Sequence, residues 1–397
     1  MRKISAHLIL DGRGTCYSKG IVTLDSEGTV LSIEDTGGIL RESAEVEFFS
    51  GILVPGFINA HCHLELSHMY HTFPEAAGFV PFLKKVVETR ASEPECIAVA
   101  AEKADILMYK NGIVAVGDIA NGPTAFEAKK NSRIHYFTFL ETLGFNPERS
   151  GKAFDWAENC LKQAESMGLK GSIVPHAPYS VSIQLFNAVS SEAVRSGLPI
   201  SMHSQESLDE DDLYRTGSGE MVIHLRDNLG IDPSFFNPTG ESALRSTLKL
   251  LPTKNNLLLV HNVYTTQSDL DYIATVRELS GTWFVLCPGS NLYIQNQLPD
   301  IDLFRRNCLQ ICLGTDSLAS NHQLSILEEM KIIQQASPSI TLDELIGWAT
   351  IHGANALGIG DWAGSIEVGK RPGINLLTNV YLAEKKLFPG TRVKKIC

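Results

Sequence analysis

Eight apolar runs recur through the middle of the chain, at residues 52–60, 112–119, 133–141, 172–176, 199–203, 256–261, 282–287 and 310–316. Each is long enough for one buried strand. The clearest stretches between them, at 96–110, 152–167, 183–196, 268–279 and 324–335, carry apolar residues at helical spacing. Parallel strands covered on both faces read as continuous apolar runs and need crossover helices between them. The pattern predicts an α/β chain whose middle closes into a (β/α)8 TIM-type barrel. An open doubly wound sheet is the structural alternative, but no strand is followed by the G-x-G-x-x-G turn that would favour it.

Both ends have a different texture. Residues 6–10, 20–24, 29–34 and 44–49, and again 365–368, 373–378 and 391–396, read as short strands broken by Gly, Ser and Asp. They suggest one small β-sandwich module formed by both termini. Residues 1–54 would be its first part, 55–362 the barrel, and 363–397 its second part. A barrel of about 250 residues plus such a module suits a chain of 397.

Thirty-four basic against 45 acidic side chains, a formal charge of −11, argue against a nucleic-acid backbone or an anionic membrane as partner. The eight cysteines form no C-x-x-C pair and read as reduced thiols. The first apolar run is broken by His7 and stopped at Asp11, too early for a signal segment, and no window suits a membrane span. A cytoplasmic location is the expectation.

In a (β/α)8 barrel, functional side chains sit at the C-terminal ends of the strands. His61, Cys62 and His63 close the first run, His176 the fourth, His203 the fifth, His261 the sixth and Asp316 the eighth. On an extended strand, His61 and His63 point to the same side and offer two nitrogens to one metal. A pair of core or exposed histidines has the same spacing, but His203 and Asp316 at other strand ends favour the metal. Imidazole plus carboxylate suits Zn²⁺, and also Fe²⁺. Each member keeps a plainer alternative. Glu206 could belong to the solvated acidic run with Asp209, Glu210, Asp211 and Asp212; His261 could be a core histidine; Asp316 could cap a helix.

The segment Val54-Pro55-Gly56-Phe57-Ile58-Asn59-Ala60-His61-Cys62-His63 resembles the opening signature of the amidohydrolase superfamily, in its cytosine-deaminase and chlorohydrolase branch. Met202-His203-Ser204-Gln205-Glu206 is similar to that branch's H-x-x-E motif, and Val260-His261, Cys287-Pro288-Gly289-Ser290-Asn291 and Gly314-Thr315-Asp316-Ser317 to its later segments. His63-Leu64-Glu65-Leu66-Ser67 resembles the sequence in aminodeoxyfutalosine deaminases of menaquinone biosynthesis. Two departures stand out. Arg371-Pro372 follows Gly369-Lys370 where the family usually has alanine and aspartate, and no bridging lysine is present, since strands three and four end in Glu141 and His176.

The resemblance implies one divalent metal ion per subunit, Zn²⁺ before Fe²⁺, on His61, His63, His203 and Asp316. Glu206, His261 and Asp316 would be catalytic, and His176, Glu65, Glu206 and Asn291 would contact substrate. It implies a hydrolytic deaminase releasing ammonia from an aromatic amine, with a 6-aminopurine nucleoside derivative such as aminodeoxyfutalosine first among substrates. Hydrolysis of a cyclic amide C–N bond or a C–Cl bond at the same site is the alternative, and an inactive barrel scaffold is disfavoured by the complete set. A small molecule is the expected partner, with homodimer formation a further expectation. No H-E-x-x-H, P-C-x-x-C or G-x-S-x-G is present, which removes other hydrolase signatures. Spacing assigns no role to His68, His71 or His322, and Arg215 reads as a surface arginine.

Overall fold

The computed structural model describes residues 1–40 and 45–397; Ala44, where one expected strand begins, lies outside them. The N-terminal strands are β1 (Arg2–Leu10), β2 (Cys16–Ser18), β3 (Ile21–Leu24), β4 (Val30–Glu34) and β5 (Val46–Pro55). Eight further strands follow: β6 (Phe57–Cys62), β7 (Ile113–Ala120), β8 (His135–Thr142), β9 (Lys170–Pro175), β10 (Ile200–Ser204), β11 (Leu257–His261), β12 (Thr282–Leu286) and β13 (Gln310–Leu313). The last two are β14 (Ile374–Thr378) and β15 (Arg392–Lys395).

β6 to β13 are the barrel. They pair in chain order as two parallel sets of four, β6 to β9 and β10 to β13. Backbone bonds join the sets at both seams. The His203 N–H donates to the His176 carbonyl at 2.9 Å, and the Thr315 and Asp316 N–H groups both reach the His61 carbonyl, at 3.0 and 3.1 Å. Strand interiors are almost wholly apolar, and helices cover the outer face. The helix Ile183–Ser196 illustrates how: Ser182 caps it through the Leu185 N–H, Gly197 ends it in the left-handed conformation, and Leu185, Phe186, Val189 and Ala193 form the buried stripe.

The remaining strands share one sheet in the order β15-β14-β5-β1-β3-β4, with β2 also on β1. Its own apolar cluster includes Ile4, Ile9, Val22, Leu53 and Ile374. The apolar run at 52–60 serves both sheets: Pro55 ends β5, Gly56 donates to the Gly373 carbonyl at 3.1 Å, and Phe57 starts the barrel. Residues 365–368, expected as a strand, form a turn instead. Lys370 folds back on Glu367, with its N–H to the Glu367 carbonyl and its ammonium 2.7 Å from the carboxylate. Among the described residues, no helix is long and apolar enough to cross a membrane.

Candidate active site

The C-terminal barrel ends converge on four imidazoles and two carboxylates. His63 Nε2 is 3.3 Å from His203 Nε2. Asp316 Oδ1 is 3.5 Å from His63 Nε2 and 3.7 Å from His61 Nε2. Ligand atoms of His61, His63 and Asp316 lie within 4.8 Å of one another, and those of His61, His203 and His261 do the same. All these side chains are buried, and neither ring nitrogen of His61 has a hydrogen-bond partner. A buried polar atom left bare is costly, and His61 has two. The donor set fits a divalent cation.

Protonation agrees with that fit. Burial, reinforced by neighbouring histidines, lowers His63 and His261 well below the ordinary range and His203 to about 3, so the rings are neutral and carry lone pairs. Asp316 is held well below its usual value against the effect of burial. Its Oδ2 also accepts hydrogen bonds from Ser290 and Ser320. His203 donates Nδ1–H to the His176 carbonyl at 2.9 Å, which turns Nε2 into the site.

Backbone geometry aims several of these groups. His261 has φ +76° and Asp316 φ +57°, left-handed values unfavourable for residues with a Cβ. Gln205 (φ +49°) is held by its side chain, which accepts from Thr265 at 2.7 Å and donates to Asp269 at 3.1 Å.

Glu206 is separate from the solvated acidic run. Ser207 caps the helix Leu208–Thr216 and Glu210 folds back onto the Glu206 N–H, while Asp209, Asp211 and Asp212 stay at least partly exposed. Glu206 is buried, with Oε1 3.5 Å from His261 Nε2. Burial, then the charges of Asp316 and Glu210, push its carboxyl well above the usual range, which favours the protonated form.

Two residues expected to contact substrate have partners within the protein. Asn291 is fully buried and its amide lies 3.0 Å from His261 Nδ1, so it orients that ring. Glu65 is buried and accepts the Asn121 N–H at 3.2 Å, with Arg90 at 3.6 Å; burial raises it to about 7 against these partners. His176 is half-buried, bonded through Nδ1 to Ser180 at 2.6 Å, and its ring centroid is 4.8 Å from that of His203. With Val86, Arg90, Phe145, Arg149 and Tyr179 it lines a cavity of about 260 Å³.

Glu141 stands 3.6 Å from His203 Nδ1 and accepts from the Asn121 amide at 2.8 Å. His68 bonds the Glu65 carbonyl, Arg215 pairs with Asp211 at the surface, and exposed His322 faces Glu75. Arg90, Asn121 and Ser320 escaped sequence reasoning, because nothing in local spacing marks a residue that meets the site only across the barrel. Ser290 was within reach, lying inside the segment that carries Asn291.

The Amidohydrolase family profile matches residues 52–392. An adenosine deaminase of Helicobacter pylori is 30% identical over 339 residues, covering 84% of this chain and 80% of that protein. An aminodeoxyfutalosine deaminase of Deinococcus radiodurans is 27% identical, covering 90% and 86%. The crystal structure of Helicobacter pylori aminofutalosine deaminase in complex with methylthio-coformycin superposes with a TM-score of 0.79 at 25% identity, over 95% of this chain and 92% of that one. Barrel, strand-end cluster and sequence match agree: this chain belongs to the amidohydrolase family and is a hydrolytic enzyme.

Proposed function

We propose that the chain is a divalent-metal-dependent deaminase that hydrolyses the exocyclic C–N bond of a 6-aminopurine nucleoside derivative, with aminodeoxyfutalosine the first candidate. The observation that carries this reading is the buried Glu206 carboxyl 3.5 Å from His261 Nε2, beside the donor cluster of His61, His63, His203 and Asp316. A cation on those four donors, Zn²⁺ before Fe²⁺, would make water nucleophilic at neutral pH.

The ionised Asp316 accepts a proton from the attacking water. Glu206 gives its proton to the ring nitrogen next to the reacting carbon, which would otherwise take up negative charge. His261, fixed from behind by Asn291, orients the incoming oxygen and stabilises the tetrahedral centre. The amino group then takes the proton held by Asp316 and departs as ammonia, while the proton of the new hydroxyl returns to Glu206 as the C=O bond forms. One water is consumed, a C–O bond replaces the C–N bond, and no redox partner is needed. His176 faces the purine from the cavity wall. The deaminases among the relatives support this assignment.

The test is a substrate panel followed by ammonia release and ultraviolet change, using protein purified without chelator. Adenosine, 5′-methylthioadenosine, aminodeoxyfutalosine, aminopterins, cyclic amides and a chloro-triazine belong in it. Ammonia from the purine nucleosides is the expected result. Silence across the amines, with turnover of a cyclic amide or the chloro-triazine, would replace the deaminase assignment by hydrolysis of that bond.

A further inference from the structure

We propose that Glu329 is a positioning residue that locks the loop bearing Asp316 to the helix turn bearing Asn291, and so sets the affinity of the site for its metal. The inference rests on the reading of Asp316 as a ligand.

Glu329 lies on the helix Ile326–Ala336, after the last barrel strand, and is 1% exposed. Its two oxygens are divided between that loop and that turn. Oε1 accepts from the Asn321 amide at 2.8 Å, and the same amide donates to the carbonyl of Thr315, the residue before Asp316, at 2.9 Å. Oε2 accepts the Gly289 N–H at 2.7 Å, in the first turn of the helix Pro288–Gln295. The next two residues of that turn act directly on the cluster: Ser290 donates to Asp316 Oδ2 at 2.6 Å, and Asn291 holds His261.

Among the described residues no cation pairs with Glu329, so this buried carboxylate is held by dipoles alone. Such an arrangement is a poor way to stabilise a core. It is a good way to fix geometry, because both oxygens accept from N–H groups. A glutamine of the same shape offers one acceptor and one donor, and its NH₂ would confront either the Gly289 N–H or the Asn321 amide. The contact is close enough to require glycine: a Cβ on Gly289 would stand 2.7 Å from Glu329 Oε1 and from Asn321 Nδ2.

The experiment compares wild type with Glu329→Gln, and with Asn321→Ala, which cuts the link to Thr315 from the other side. Zn²⁺ affinity is read by competition with a chromophoric chelator, site geometry by the visible spectrum of the Co²⁺-loaded protein, and kcat and KM separately. Glu329→Gln is expected to bind Zn²⁺ about 10–100-fold more weakly, to alter the Co²⁺ spectrum, and to lower kcat while KM changes little. Asn321→Ala should move all three the same way, and it decides the matter if Glu329→Gln does not fold. A folded variant with wild-type Zn²⁺ affinity and Co²⁺ spectrum would overturn the proposal even if its melting temperature fell, since Glu329 would then only hold helices together. Wild-type protein that takes up no metal would instead overturn the reading of the site, and the inference would fall with it.

Discussion

Glu206 Oε1 stands 3.5 Å from His261 Nε2, and on the opposite edge of the same ring the Asn291 amide lies 3.0 Å from Nδ1. The imidazole is gripped on both sides by buried groups, and burial and the charge of Asp316 disfavour the anion of one of them, Glu206. Acid and imidazole therefore form a unit whose parts can be removed separately.

Replacing Glu206 by Gln removes the transferable proton and keeps the shape. Turnover should fall about 10²–10⁴-fold, the usual range for a general acid, while the metal content of the purified protein stays at wild-type level. A variant that kept near-normal kcat would exclude Glu206 as proton donor.

His203→Asn and Asp316→Asn each remove one member of the donor cluster. Both should be purified with much less metal, and chelator treatment of wild type should abolish activity that added Zn²⁺ or Fe²⁺ restores. Metal analysis beside activity decides this. An active protein indifferent to chelator would contradict it.

Gly314 lies where β13 leads into the Asp316 loop. A Cβ there would stand 2.8 Å from the His61 Cβ and 3.0 Å from the His61 carbonyl oxygen. Gly314→Ala must push that loop away from the end of β6 and spread His61 from Asp316. We expect a loss of about 1–3 kcal/mol in urea unfolding together with weaker metal binding. Unchanged stability would mean the seam gives more easily than its backbone contacts imply.

Stability of the metal-free chain should depend on pH in two senses. His176 and His203 are lowered from 6.5 to about 3 by burial, so the unfolded chain binds more protons there and stability rises as pH climbs towards about 6.5. Glu65 and Glu210 are raised by burial from 4.5 to about 7 and 8, so the folded chain binds more protons than the unfolded one. Above pH 6.5 the histidine contribution is complete and the carboxyl contribution remains, so stability should fall between about pH 6.5 and 8.5. Denaturant titrations of chelator-treated protein across that window check the sign; a flat or rising curve would be wrong for these groups.

Much of the scaffold was legible from periodicity. The helices near 96–110, 152–167 and 183–196 lie within two residues of their expected bounds, because an amphipathic stripe is a local property of 3.6-residue spacing. The run at 52–60 misled because apolarity says that residues are buried but not in which sheet, and the break at Gly56 depends on where β14 and Gly373 lie. Glu206 could not be told from the acidic residues after it until Glu210 was seen to fold back as part of a helix cap.

By itself, the sequence determined the alternation of strand and helix, and the placing of His61, His63, His203, His261 and Asp316 at strand ends. These follow from residue type and short-range spacing. Only the tertiary structure decided which of those groups meet, that Asn291 turns to His261 and Glu65 to Asn121, and that Glu329 joins the Asp316 loop to the start of the helix Pro288–Gln295. Barrel closure brings the distant strand ends within bonding reach. The left-handed backbone at His261 and Asp316 that aims their side chains is one local preference opposes, so packing and hydrogen bonds from the rest of the chain must impose it.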